Sequence, residues 1–104
     1  MNKIPKPFTD FVKSYPEIAE AYENLSERCH EAGPLDHRAR LLVKLGIAIG
    51  SGLEGSVRSQ VRKALDAGIP HEEIRHAFLL ATVTIGFPKM MVAYTSVTDI
   101  LGED

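Results

Sequence analysis

Apolar residues recur at helical spacing along almost the whole chain, and no stretch sustains the every-second-residue alternation of a strand. Residues 1–7 carry two prolines and read as an irregular lead-in, and Phe8 to Lys13 reads as a short helical turn. Ser14-Tyr15-Pro16-Glu17 has capping-box spacing, with the Ser14 hydroxyl accepting from the Glu17 amide and the Glu17 carboxylate reaching back. Ile18, Tyr22, Leu25, Cys29 and Ala32 then form a helical stripe, which Gly33-Pro34 ends. Asp36 reads as the N-cap of a second long helix, whose Leu41, Leu42, Val43, Leu45, Ile47, Ala48 and Ile49 leave almost no polar face. Only Lys44 interrupts that run. A helix apolar on all sides is covered on several sides, which predicts a central position and a face open to a second subunit. Gly46 and Gly50 would let a neighbouring backbone approach closely.

Gly50-Ser51-Gly52 ends or kinks that helix. The next runs to about Ala67, with Val57, Val61, Ala64 and Leu65 inward and Gly68 as its C′ residue. Pro70-His71-Glu72-Glu73 opens another, with acids where the helix dipole favours them. Ile74, Ala77, Phe78, Ala81 and Ile85 form its stripe, and Gly86-Phe87-Pro88 breaks it. The last helix turns Met90, Ala93, Tyr94, Val97 and Leu101 inward. Thr82 to Ile85 is the one strand-like run and sits inside a helical pattern. The expected class is all-α, a bundle of about five or six helices forming a single domain over residues 1–104.

Composition narrows the function. The chain has 104 residues, 44% hydrophobic and 25% charged, with a formal net charge of −2. That balance supplies no basic field for nucleic acid or anionic membrane, and Arg38/Arg40 and Arg58/Arg62 lack interleaved aromatics. Cys29 is the single cysteine and cannot form an intramolecular disulfide, which fits a reducing compartment; a cytoplasmic protein is expected. The longest apolar-rich stretch, Leu41 to Leu53, contains Lys44 and is too short to span a bilayer.

Candidate chemistry is sparse. Gly50-Ser51-Gly52 has no strand before it, so a dinucleotide-binding reading fails. His71 and His76 diverge by roughly 140° on one helix, and Glu72 with His76 supplies only two ligands, so no metal site is expected. His37 reads as solvated, and His76, beside Ala77 and Phe78, as partly buried or lining a pocket. His30 points about 100° away from Cys29 on the same helix, so the two do not form a catalytic dyad. Cys29 then reads as a small core or interface residue.

The run from Leu35 to Pro88 resembles the carboxymuconolactone decarboxylase family, which includes the alkylhydroperoxidase D-like proteins. The matching pieces are Leu35-Asp36 with Arg40, Ala48-Ile49-Gly50, Arg62-Lys63-Ala64-Leu65-Asp66-Ala67-Gly68, Glu72-Glu73-Ile74 and Gly86-Phe87-Pro88. The resemblance implies an all-helical fold whose small members form trimers or hexamers, with the active region near subunit contacts. Peroxidase members of the family use Cys-x-x-Cys, a following histidine and an upstream glutamate. Those positions fall here on Leu53, Ser56, Gln60 and Leu41. With no thiolate, resolving thiol or base in place, thiol peroxidase chemistry is not expected.

The decarboxylase branch lacks the cysteines and acts on a small lactone carboxylate, although the histidine usual in its motif is absent here too. Glu54, Arg58 and Arg62 are spaced i, i+4, i+8, and Ser56 and Gln60 form another i, i+4 pair. In the functional reading Arg58 holds a substrate carboxylate, Glu54 or His76 moves the proton, and Ser56 and Gln60 orient the substrate. In the plain reading Glu54–Arg58 is a surface pair worth a few tenths of a kcal/mol. The expectation is a homo-oligomeric, cofactor-free enzyme of decarboxylase or isomerase type acting on a small carboxylate or lactone. A non-catalytic oligomeric binding or structural protein of the same fold is the alternative, and peroxidase-like activity comes third.

Overall fold

The computed structural model describes residues 4–102, and all regular structure among them is helical. The helices are α1 (Lys6–Ser14), α2 (Pro16–Glu31), α3 (His37–Ser51), α4 (Glu54–Asp66), α5 (His71–Ala81) and α6 (Phe87–Leu101). The all-α class read from the apolar period is the one the chain adopts. The chain divides into two compact units, one ending at Leu35 and the other beginning at Asp36.

The first unit is the α1–α2 hairpin. Residues 1–3 of the expected lead-in lie outside the described residues, and α1 begins inside that lead-in, behind Pro5 and with Pro7 in its first turn. The capping box expected at Ser14 does not form. Ser14 is the last residue of α1, and Tyr15 caps α2 without any side-chain hydrogen bond. Pro16 disfavours helical backbone at the residue before it, so the break falls on Tyr15, at φ −133°. Neither helix of this unit buries a residue, so the stripe Ile18, Tyr22, Leu25 is exposed rather than covered.

The second unit carries the core. Asp36 caps α3 as expected, its carboxylate accepting from the Ala39 amide at 2.8 Å. One face of α3, Leu41, Leu45, Ala48 and Ile49, packs with Val57, Val61 and Ala64 of α4, Ile74 and Phe78 of α5, and Met90, Ala93 and Val97 of α6. Leu45, Ile74, Val57, Val61 and Val97 are fully buried, which is worth roughly 1.5–3 kcal/mol for each large side chain. Phe78 meets Tyr94 edge to face at 5.6 Å, although Tyr94 is itself partly open to solvent.

Three turns set the helix directions. α3 ends at Gly52, in the left-handed region at φ 73°. A methyl group there would lie 3.1 Å from Lys89 Nζ, so this lysine stands against the negative end of the α3 dipole. α4 ends in a Schellman motif: Ile69 N–H donates to Ala64 O and Gly68 N–H to Leu65 O, both at 3.0 Å, with Gly68 at φ 86°. After α5, three successive amides, of Thr84, Ile85 and Gly86, converge on Ala81 O, which makes 82–86 a turn rather than the helix continuation expected through Ile85.

The prediction that α3 is covered on several sides holds only in part. Within the chain Val43 is 48% and Ile47 67% exposed. Among the described residues, nothing beyond the chain neighbours and the helix's own backbone stands within 4 Å of a methyl group built on Gly46 or Gly50, so the close approach those glycines would allow is not made among them.

This packing gives a direct test. Leu45→Ala should cost about 2–5 kcal/mol in urea unfolding, and Asp36→Ala about 1 kcal/mol. Lys63→Ala, on the exposed side of α4, should stay within about 0.5 kcal/mol of the parent.

Candidate functional site

The α3–α4 junction builds a small depression. Ser51 Oγ donates to Ala48 O at 2.6 Å and accepts from Leu53 N–H at 3.1 Å. That pair of bonds, with the left-handed Gly52, reverses the chain within two residues. α3 contributes Lys44, Ile47, Ala48 and Ser51 to the walls, and the opposite side is Leu53, Ser56 and Gln60. The space measures about 340 Å³. Gln60 lines it, and its amide oxygen is buried with no hydrogen-bond partner among the described residues. A buried acceptor left unpaired costs about 1–3 kcal/mol.

Ser56 and Gln60 share this depression because they sit one helical turn apart. Glu54 and Arg58 do not join them. The Arg58 guanidinium accepts nothing and donates twice: Nε to Glu54 Oε1 at 3.3 Å, and Nη2 to Asp99 Oδ2 of α6 at 2.7 Å. The Asp99 hydrogen bond is the main influence holding the Arg58 pKa above its ordinary value; the charge of Glu54 adds to it, and partial burial opposes it. Arg58 is thus a strut between α4 and α6, with 27% of its side chain still exposed.

His76 lies elsewhere again. It lines a second, larger groove of about 480 Å³ between α3 and α5, together with Leu42, Gly46, Ile49 and Leu80. Glu73 stands at the same groove, ion-paired with Arg38. The five residues expected to form one site are therefore distributed over three places: Ser56 and Gln60 in the depression, Glu54 and Arg58 in the strut, and His76 in the groove. Lys44 and Ser51 join the depression without having been singled out as site residues. The available signal for Lys44 was its standing as the one charge in an otherwise apolar helix. Asp99 gave no signal, since only the fold brings it to Arg58 across 41 residues of sequence.

Leu53 and Ser56, onto which the family resemblance would place the thiols of peroxidase members, line the depression. Leu41, where those relatives keep a glutamate, is buried in the core. Cys29 is a free thiol on α2, exposed. Among the described residues no group of three or more histidine, cysteine or acidic side chains is arranged to hold a metal ion. No helix among them is long and apolar enough to cross a membrane.

The sequence profile of the carboxymuconolactone decarboxylase family matches residues 16–99, from the first residue of α2 to the Asp99 that pairs with Arg58. The chain belongs to the carboxymuconolactone decarboxylase family. It is also similar to an uncharacterized protein of Methanocaldococcus jannaschii, 28% identical over 91 residues that cover 88% of this chain and 85% of that one. The family match spans both the depression and the groove, while α1 precedes it.

The strut makes a measurable claim about this family member. Arg58→Ala and Asp99→Ala should each lower stability by less than about 1 kcal/mol, as exposed ion pairs do. A double-mutant cycle should return a positive coupling that shrinks between low and high salt. Zero coupling at low salt would remove the strut.

Proposed function

We propose that this carboxymuconolactone decarboxylase family protein is a homo-oligomeric, cofactor-free enzyme of decarboxylase or isomerase type, acting on a small carboxylate or lactone in the α3–α4 depression. The observation that carries the reading is a depression that brings the Lys44 cation together with the hydrogen-bonding side chains of Ser51, Ser56 and Gln60 against Ile47 and Leu53. An apolar wall, a cation and a few hydrogen-bonding side chains suit a small molecule with an acid at one end and a polar group at the other. Ser56 and Gln60 orient the substrate. Lys44 takes the carboxylate-binding role that the sequence suggested for Arg58, because Lys44 lines the depression and Arg58 lies on another face of α4.

In a decarboxylation the departing carbon dioxide leaves an electron pair, which the lactone carbonyl accepts as an enolate, and return of a proton to carbon completes the step. The Lys44 ammonium is the group in the depression that can balance the enolate charge and supply that proton. Oligomer formation is supported by the exposed apolar residues of the second unit, Val43 and Ile47 on α3 and Leu80, Val83 and Phe87 beyond. The family resemblance, with its trimers and hexamers, points the same way.

A second reading is favoured by a specific observation: neither a carboxylate nor an imidazole lines the depression. That arrangement suits a binding protein of the same fold that has lost the chemistry.

The test is a thermal-shift panel of small carboxylates and lactones, followed by product analysis on each hit. Binding to the native state raises Tm by linkage, by an amount that grows with ligand concentration over Kd. The expected result is a hit that is lost in Lys44→Ala and Gln60→Leu, kept in Arg58→Ala, and converted to product. A hit that survives Lys44→Ala overturns the site. A hit bound but never converted selects the binding protein.

A further inference from the structure

We propose that the groove between α3 and α5 is a second ligand site, which takes an apolar molecule ending in one uncharged hydroxyl group. The inference does not rest on the reaction proposed for the depression. The walls of the groove are α3 and α5, whereas those of the depression are α3 and α4.

The groove is long, narrow and polar at one end. An ion pair between Arg38 and Glu73 joins the first turns of α3 and α5. Gly50 and Ala81, near the last turns of the same two helices, line the groove together. The helices therefore run in the same direction along it. From Leu42 to Gly50 the α3 wall rises by about 12 Å. Leu42, Ile49, Ala77 and Ala81 make most of the lining apolar, and Glu73 and His76 stand at the end where α5 begins. Thr84 lies at the opposite end, its hydroxyl already donating to Leu80 O.

The size selects a small molecule over a helix. The space measures about 480 Å³, within the roughly 300–1,000 Å³ of small-molecule pockets. A helix of ~10 Å diameter laid along the same 12 Å would occupy roughly 900 Å³, so it could not enter the groove. Glycine at position 46 keeps the space free: a leucine there would project into the groove, and a methyl group built on Gly46 meets nothing within 4 Å among the described residues beyond its own helix and chain neighbours.

The head group follows from the charges. Among the described residues that line the groove, Glu73 is the one charged at neutral pH, and neither lysine nor arginine is present. An anionic head would be repelled by the Glu73 carboxylate, and a cationic head would meet the Arg38 charge at that same carboxylate. A hydroxyl meets neither penalty. Glu73 and His76 are three apart on α5, which places their Cβ atoms about 5–6 Å from each other. One hydroxyl can then donate to the Glu73 carboxylate and accept from the His76 imidazole N–H.

The test titrates full-length protein with 1-octanol, octanoate and octylammonium, three probes with one chain and different heads, followed by calorimetry and by amide chemical shifts. Octanol should shift amides of α3 between Leu42 and Gly50 and of α5 between Glu73 and Ala81. Octanoate and octylammonium should each bind about tenfold more weakly. Gly46→Leu should weaken octanol about tenfold with the helical signal unchanged. Glu73→Gln removes the carboxylate and leaves Arg38 uncompensated, so octanoate should bind it more tightly than it binds the wild type. Octanol that fails to bind the wild type, or binds folded Gly46→Leu equally well, would overturn the site. Shifts confined to residues outside α3 and α5 would do the same, and this readout needs no variant. Octanoate or octylammonium binding as tightly as octanol would overturn the assignment of an uncharged head.

Discussion

The packing of Leu41, Leu45, Ala48 and Ile49 against three other helices is the constraint on which the second unit depends. Because those residues fix α3 in rotation, they also decide what its other flanks present. One flank turns Lys44, Ile47 and Ser51 toward α4, and the other turns Leu42, Gly46 and Gly50 toward α5. The depression and the groove are therefore two sides of the same helix. An almost entirely apolar α3 is explained by three demands at once: a core face, two cavity walls, and the exposed Val43 and Ile47.

Much of the fold was legible because the chain marks its helix ends with specific chemistry. Asp36 at an N-cap, Gly68 at a C′ position and Pro70 before a first turn each have one strong interpretation, and each is found where the sequence put it. The Ser14 capping box failed where two local signals competed. Proline restricts its predecessor more strongly than a serine hydroxyl rewards a cap, so Tyr15 became the break. Ile85 failed for a different reason, since a helical stripe does not reveal that Gly86 will stop the helix early and draw three amides onto one carbonyl.

The site was legible only along single helices. Ser56 and Gln60 lie on one face by spacing alone, and they do share a cavity. Arg58 lies about 200° from Ser56 around α4, so no rotation of the helix could have offered both to one small ligand. Where Arg58 does point depends on α6, and where His76 points depends on the turn of α5; neither is written in the spacing of α4. The family match covers residues 16–99, and the polar lining that the fold assembles there is Lys44, Ser51, Ser56 and Gln60.

Hydrogen exchange across a range of protein concentrations tests most directly whether the second unit is held by its own core. Amides of α3 and α4 should be protected to a similar degree at every concentration. Amides of α2, a helix that buries no residue, should exchange faster than those of α3. Protection of α3 and α4 no greater than that of α2, or protection that appears only at high concentration, would contradict the claim.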